Sequence, residues 1–210
     1  MKRGKYTILI LVITASIIVF LLLNLLLGSV SIPFASVWNI LTGGEGDPIA
    51  WQNIILKSRL PQALTALVAG AGLSISGLQM QTIFRNPLAG PSVLGISSGA
   101  SLGVAFVVLL SGQLGGVALS RLGFIGEVAL SIAAIAGALS VMGLIVLASR
   151  KVAGSVTLLI IGVMIGYIAN AVIGVLKFFS VEEDIKAYVI WGLGSFSRVS
   201  GNQMMLFVTI

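Results

Sequence analysis

RLPQALTALVAGAGLSISGLQMQTIFRNPLAGPSVLGISSGAS, residues 59–101, decides the fold. It reads as a long helix of small and apolar residues, a polar hairpin holding Pro87 and Pro91, and a second helix ridged with glycine. Such segments do not stay dissolved in water. A bilayer accounts for them, because a helix satisfies its own backbone polar groups and these side chains match hydrocarbon. The hairpin is the break between two crossings. Pro87 disfavours helical geometry at Asn86 and Pro91 does the same at Gly90, so the chain leaves and re-enters the helix within a few residues. Asn86 is placed to hydrogen-bond backbone groups in the turn, and Ser92 to help cap the helix that follows.

Composition agrees with a membrane protein. The chain is 58% hydrophobic and 9% charged, with a mean hydropathy of +1.15, whereas soluble domains carry roughly a quarter charged residues. It has no cysteine and no histidine. A disulfide framework, a zinc site and a Cys or His catalytic centre are therefore excluded, and no cofactor or metal is expected. The net charge of +6 raises nucleic acid as a partner. The basic residues are scattered, however, and border apolar runs, so topology accounts for them and no nucleic-acid contact is expected.

The N-terminal apolar run, from about Tyr6 to Leu27 behind Lys2, Arg3 and Lys5, is too long for a signal peptide and shows no clean cleavage site. At about 1.5 Å per residue it crosses a hydrocarbon core of about 30 Å. Four further spans follow, at about Pro61–Phe84, Val93–Ser111, Phe124–Ala148 and Ser155–Leu176. A sixth begins near Met204 and stops at Ile210. The expected architecture is an all-α integral membrane protein, a polytopic bundle in one domain over residues 1–210 that breaks off inside its sixth helix. With the N-terminus inside, the Lys and Arg count is level. Lys2, Arg3, Lys5, Arg85, Arg150 and Lys151 face Lys57, Arg59, Arg121, Lys177, Lys186 and Arg198 across the membrane. The weight of the first helix and the short loops favours a cytoplasmic N-terminus, and all six acids then fall outside.

Small residues recur every four positions. Ala66, Gly70 and Ser74 line the second span, Gly95, Gly99 and Gly103 the third, and Gly162, Gly166, Asn170 and Gly174 the fifth. Four residues turn 400°, so each series is a slowly drifting ridge that admits a neighbouring backbone. Taken one by one these glycines are packing features. No Asp, Glu, Arg or Lys lies near a span centre, which argues against an ion-coupled carrier with a midplane relay. Asn24, Gln79, Gln81 and Asn170 are the polar exceptions. Each serves either an interhelical hydrogen bond or the wall of a passage, and Gln79 and Gln81, 200° apart, cannot serve one face.

The chain has no phosphate loop of the G-x-x-x-x-G-K-[ST] type, so ATP hydrolysis is not expected of it. Ser180 and Glu183 have capping-box spacing, and three acids at 182–184 suit the start of a helix of roughly Val181–Trp191. Its Ile185, Tyr188 and Val189 form an apolar face suited to lying along the membrane surface.

Taken in order, Arg59-Leu60-Pro61, Ser76-Gly77-Leu78-Gln79-Met80-Gln81, Asn86-Pro87-Leu88-Ala89-Gly90-Pro91, Leu94-Gly95-Ile96-Ser97-Ser98-Gly99-Ala100 and Trp191-Gly192-Leu193-Gly194-Ser195-Phe196 resemble a known family. They are similar to the permease subunits of iron-siderophore, haem and vitamin B12 ABC importers, the FecCD type. The resemblance implies a bacterial plasma (inner) membrane subunit of about ten helices, of which about five and a half are present. It also implies a homodimer or paired permease, cytoplasmic ABC ATPase subunits, and a periplasmic or lipoprotein substrate-binding protein. The implied work is translocation of a ferric siderophore, haem or cobalamin by ATP-driven alternating access. Arg59 matches the first base of the family's R-[LI]-P-R docking motif; Gln62 replaces the second, and Lys57 is a substitute of poorer geometry. Two other classes stay open, an ion-coupled secondary transporter and a membrane scaffold without transport.

Overall fold

The computed structural model describes residues 2–45, 47–111, 123–152, 154–196, 199, 201 and 204. The described chain is helical throughout, with α1 Lys2–Leu26, α2 Phe34–Leu41, α3 Ile49–Ile54, α4 Leu60–Phe84, α5 Ile96–Ser111, α6 Phe124–Ser149, α7 Ser155–Phe179 and α8 Glu182–Gly192. Among the described residues four stretches are long and apolar enough to cross a membrane: Gly4–Leu26, Ile49–Phe84, Ile125–Ser149 and Val156–Phe179. α5 is shorter, with an apolar stretch of Ile96–Leu110. Residues 205–210 of the expected sixth span lie outside the described residues, as do Arg121 and Arg198.

The span boundaries follow from local chemistry. α3 and α4 run on through a π-helical turn, Ile55–Arg59. Pro61, two residues beyond it, has no N–H to give and its ring crowds the carbonyl four residues back, so a widened turn keeps the rod continuous. Thr65 Oγ1 donates to the Pro61 carbonyl at 2.7 Å, a buried bond inside the helix. α5 starts at Ile96, three residues later than expected, because Val93 and Leu94 belong to a 3₁₀ turn, Pro91–Leu94. Gly95 follows at φ +72°, a left-handed conformation that ends the turn before α geometry begins.

Two compact units divide the chain, Met1–Gly72 with Ser195–Ile210, and Leu73–Gly194. In the first, Leu25, Ile32, Val37, Ile40 and Ile55 form the core where the end of α1 meets α2 and the π-helical turn. The remainder of α1 is almost wholly exposed, from Tyr6 to Phe20, as a lipid-facing helix is. In the second, one cluster joins Val104, Ala105, Val108 and Leu109 of α5 to Ile173 of α7 and Tyr188 of α8. Another gathers Phe84, Ala89, Leu94, Val141 and Ile145 around the hairpin.

Candidate functional site

The hairpin between α4 and α5 is built by three devices. α4 ends with Arg85 at φ +48°. The Asn86 N–H reaches the Gln81 carbonyl (3.2 Å) and the Arg85 N–H reaches that of Thr82 (3.3 Å), so orphan carbonyls of the last turn are satisfied. That is a Schellman ending with arginine where glycine is usual. Asn86 Oδ1 then accepts the Leu88 N–H at 2.9 Å, and the Asn86 carbonyl accepts that of Ala89 at 3.1 Å, which closes the turn through Pro87. Asn86 is thus a turn-former, half-buried, while Leu88 stands 87% exposed beside buried Ala89.

Behind the hairpin lies a seam of backbone contacts. A Cβ placed on Gly95 would come within 2.5 Å of the Gly162 carbonyl oxygen, and one on Gly162 within 2.8 Å of Leu94 Cα. Gly166 faces Ser98 and Gly95. On the other side, Gly99 meets the Gly137 carbonyl and Val141, and Gly103 meets the Ala133 carbonyl and Gly137. So α5 is wedged between α6 and α7 with backbone against backbone at these glycines, the Val141 and Ser98 side chains standing beside them. Of the seven glycines expected at tight contacts, Gly95, Gly99, Gly103, Gly162 and Gly166 are there. Gly70 and Gly174 have nothing near their Cβ positions among the described residues. Gly137 was missed. Its signal was present, since Ala133, Gly137 and Val141 repeat at four-residue spacing on α6.

α8 corrects an expectation. It runs along the flank of α5, where Ile185 and Tyr188 of its apolar face pack. Ser180 Oγ donates to the Leu176 (2.6 Å) and Leu109 (3.1 Å) carbonyls, and eight residues later the Tyr188 phenol hydrogen-bonds Ser101. Ser101 lies eight residues before Leu109 on α5, or about 12 Å at 1.5 Å per residue. The capping box does not form: Val181 is the N-cap and no side chain caps the helix. The Ser180 hydroxyl is committed to α5 and α7 instead. Lys177 Nζ sits 4.8 Å from the Tyr188 ring centroid, within cation–π range. Asp184, in the first turn of α8, is buried, and its Oδ2 has no hydrogen-bond partner among the described residues.

The remaining polar candidates are not gathered into one site. Gln79, Gln81 and Asn170 are all exposed, as is Asn24. The docking candidates differ among themselves. Lys57 is exposed, whereas Gln62 is half-buried with its Nε2 donating to Ser58 Oγ at 2.9 Å. Arg59 is 7% exposed. Its Nη1 donates to the carbonyls of Leu25 (2.6 Å) and Leu26 (3.2 Å), and Nη2 donates to that of Val30. Among the described residues no group of three His, Cys, Asp or Glu is arranged to hold a metal.

The hairpin, seam and π-helical turn all lie within residues 16–210, which match the model of the FecCD transport family. The chain belongs to the FecCD transport family. FecCD relatives include the hemin transport system permease protein HmuU of Yersinia pestis, 32% identical over 86% of this chain and 51% of that protein. The vitamin B12 import system permease protein BtuC of Pectobacterium atrosepticum is 34% identical over 78% of this chain and 48% of its own length. A solved structure of a metal-chelate type ABC transporter in an inward-facing conformation superposes with a TM-score of 0.76. It is 26% identical and covers 97% of this chain and 58% of the other. The chain spans about half the length of the curated relatives it matches. As a FecCD member with several spans, it is a multi-pass membrane protein.

Proposed function

We propose that this chain works in the permease of an ABC importer and moves an iron chelate, haem or a corrinoid across the bacterial inner membrane by ATP-driven alternating access. The observation that carries this reading is the FecCD match over residues 16–210, supported by the fold likeness to a metal-chelate transporter. The relatives named above are permeases for hemin and vitamin B12. On this reading it is paired with a second permease, driven by cytoplasmic ATPase subunits and fed by a substrate-binding protein, with its own N-terminus cytoplasmic. Lys57 is the exposed cation available to an acidic docking surface, with Gln62 beside it. Exposed Gln79, Gln81 and Asn170 are free to line a passage or to pair with a further helix. The chelate carries the metal, since the chain has no histidine or cysteine to hold it.

The test is uptake of ferric siderophore, haem and cobalamin by vesicles holding the native protein with its partner ATPase. ATP-dependent accumulation of one of them, indifferent to a protonophore, is the expected result. Accumulation that needs no ATPase and stops when the proton gradient collapses would replace the importer with a secondary carrier.

A further inference from the structure

We infer that Arg59 is a clasp that fastens the C-terminal end of α1 to the start of α4, and that its charge is spent inside the protein. The argument begins at the helix end. The last carbonyls of a helix have no partner within it, and they carry the negative end of its dipole. Leu25 and Leu26 hold two of these carbonyls, Val30 a third just beyond, and one guanidinium donates to all three. A planar fork with five donors suits this task, and a lysine ammonium on its single point does not. No carboxylate is needed, because the converging carbonyl dipoles stabilise the buried charge.

Two features of the chain make the fit. The π-helical turn places Ile55 and Arg59 together on the buried side, so the guanidinium extends from the same face as the core residue beneath it. Gly28 leaves the space: a Cβ there would lie 2.7 Å from Nη2 and 3.2 Å from Cζ. The clasp therefore has a lock and a keyhole at positions 59 and 28, 31 residues apart in sequence. Lys57, two residues earlier and exposed, takes no part in it. This inference stands independently of the importer reading.

The test is hydrogen exchange over residues 27–32, where the Leu27 and Ile32 N–H groups bond to the Leu23 and Leu26 carbonyls. The full protein is measured in detergent or nanodiscs, alongside its thermal midpoint. Arg59→Gln is expected to raise exchange across 27–32 at least about tenfold and to lower the midpoint by about 5 °C. Arg59→Lys should recover only part of this, and Lys57→Gln should leave the segment unchanged. Gly28→Ala, which keeps the arginine but fills its place, should reproduce the Arg59→Gln exchange pattern, and the double variant should be no worse than the worse single one. It also provides the reading if Arg59→Gln does not accumulate. Unchanged exchange in Gly28→Ala, or fully additive effects in the double variant, would overturn the clasp and return Arg59 to the solvent side.

Discussion

At Arg85 a side chain occupies a backbone conformation that L-residues avoid. A φ of +48° places its Cβ against the following carbonyl, and relief from this is worth roughly 1 kcal/mol. Glycine also loses more freedom on folding, which offsets part of that gain. Arg85→Gly is therefore expected to stabilise the protein by roughly 0.5 kcal/mol, and Arg85→Val to destabilise it by about 1 kcal/mol. Thermal unfolding followed by tryptophan fluorescence decides, and a loss on Arg85→Gly would mean the exposed side chain does something the backbone does not reveal. That such a residue persists where glycine is the easy choice fits a cation kept for topology. The left-handed turn itself was not legible. Asn86-Pro87 announced a turn, but the Schellman bonds depend on where α4 unwinds, one residue earlier.

Among the elements, α4, α6 and α7 were legible to within a few residues, because apolar runs end abruptly in Pro, Gly or charge. α5 was less so, since a 3₁₀ turn and an α-helix carry the same small, apolar residues. α8 was read as amphipathic, but the partner of its apolar face was not legible. Periodicity shows that Ile185 and Tyr188 need an apolar partner but not whether that partner is lipid or α5. Ser180 failed for a related reason: one of its two acceptors, the Leu109 carbonyl, is 71 residues away. The seam yields a sharp contrast within one helix. Gly137 of α6 touches the backbone of Gly99 and Gly103, while Gly143 on the same helix has nothing near its Cβ position. Gly137→Leu should cost on the order of 3 kcal/mol or more, and Gly143→Leu less than about 0.5 kcal/mol. Equal losses in thermal midpoint would show that α5 and α6 are not in backbone contact.

For the whole molecule, the family was legible because its motifs are local and ordered along the chain. The docking candidates show what such motifs leave open: Arg59, Lys57 and Gln62 sit within six residues, yet Arg59 is buried, Gln62 half-buried and Lys57 exposed. Orientation rests on a level charge count, so it calls for direct measurement. Residues 1–210 hold no cysteine, so an introduced thiol is the only one within them. Leu88→Cys, at the exposed hairpin tip, is expected to react with a membrane-impermeant maleimide only in inverted vesicles, and Glu45→Cys only in intact cells. The opposite pattern would turn the chain over and place Lys57 on the cytoplasmic face.

At the glycines where α5 meets α6 and α7, main chain lies directly against main chain. A leucine interface can slip by exchanging rotamers, but carbonyl against glycine has no such slack. Cα–H···O contacts at that range add to the hold. Mechanically, α5, α6 and α7 form one strut. In any movement of this unit those three helices travel together, and the bending falls to the joints at their ends.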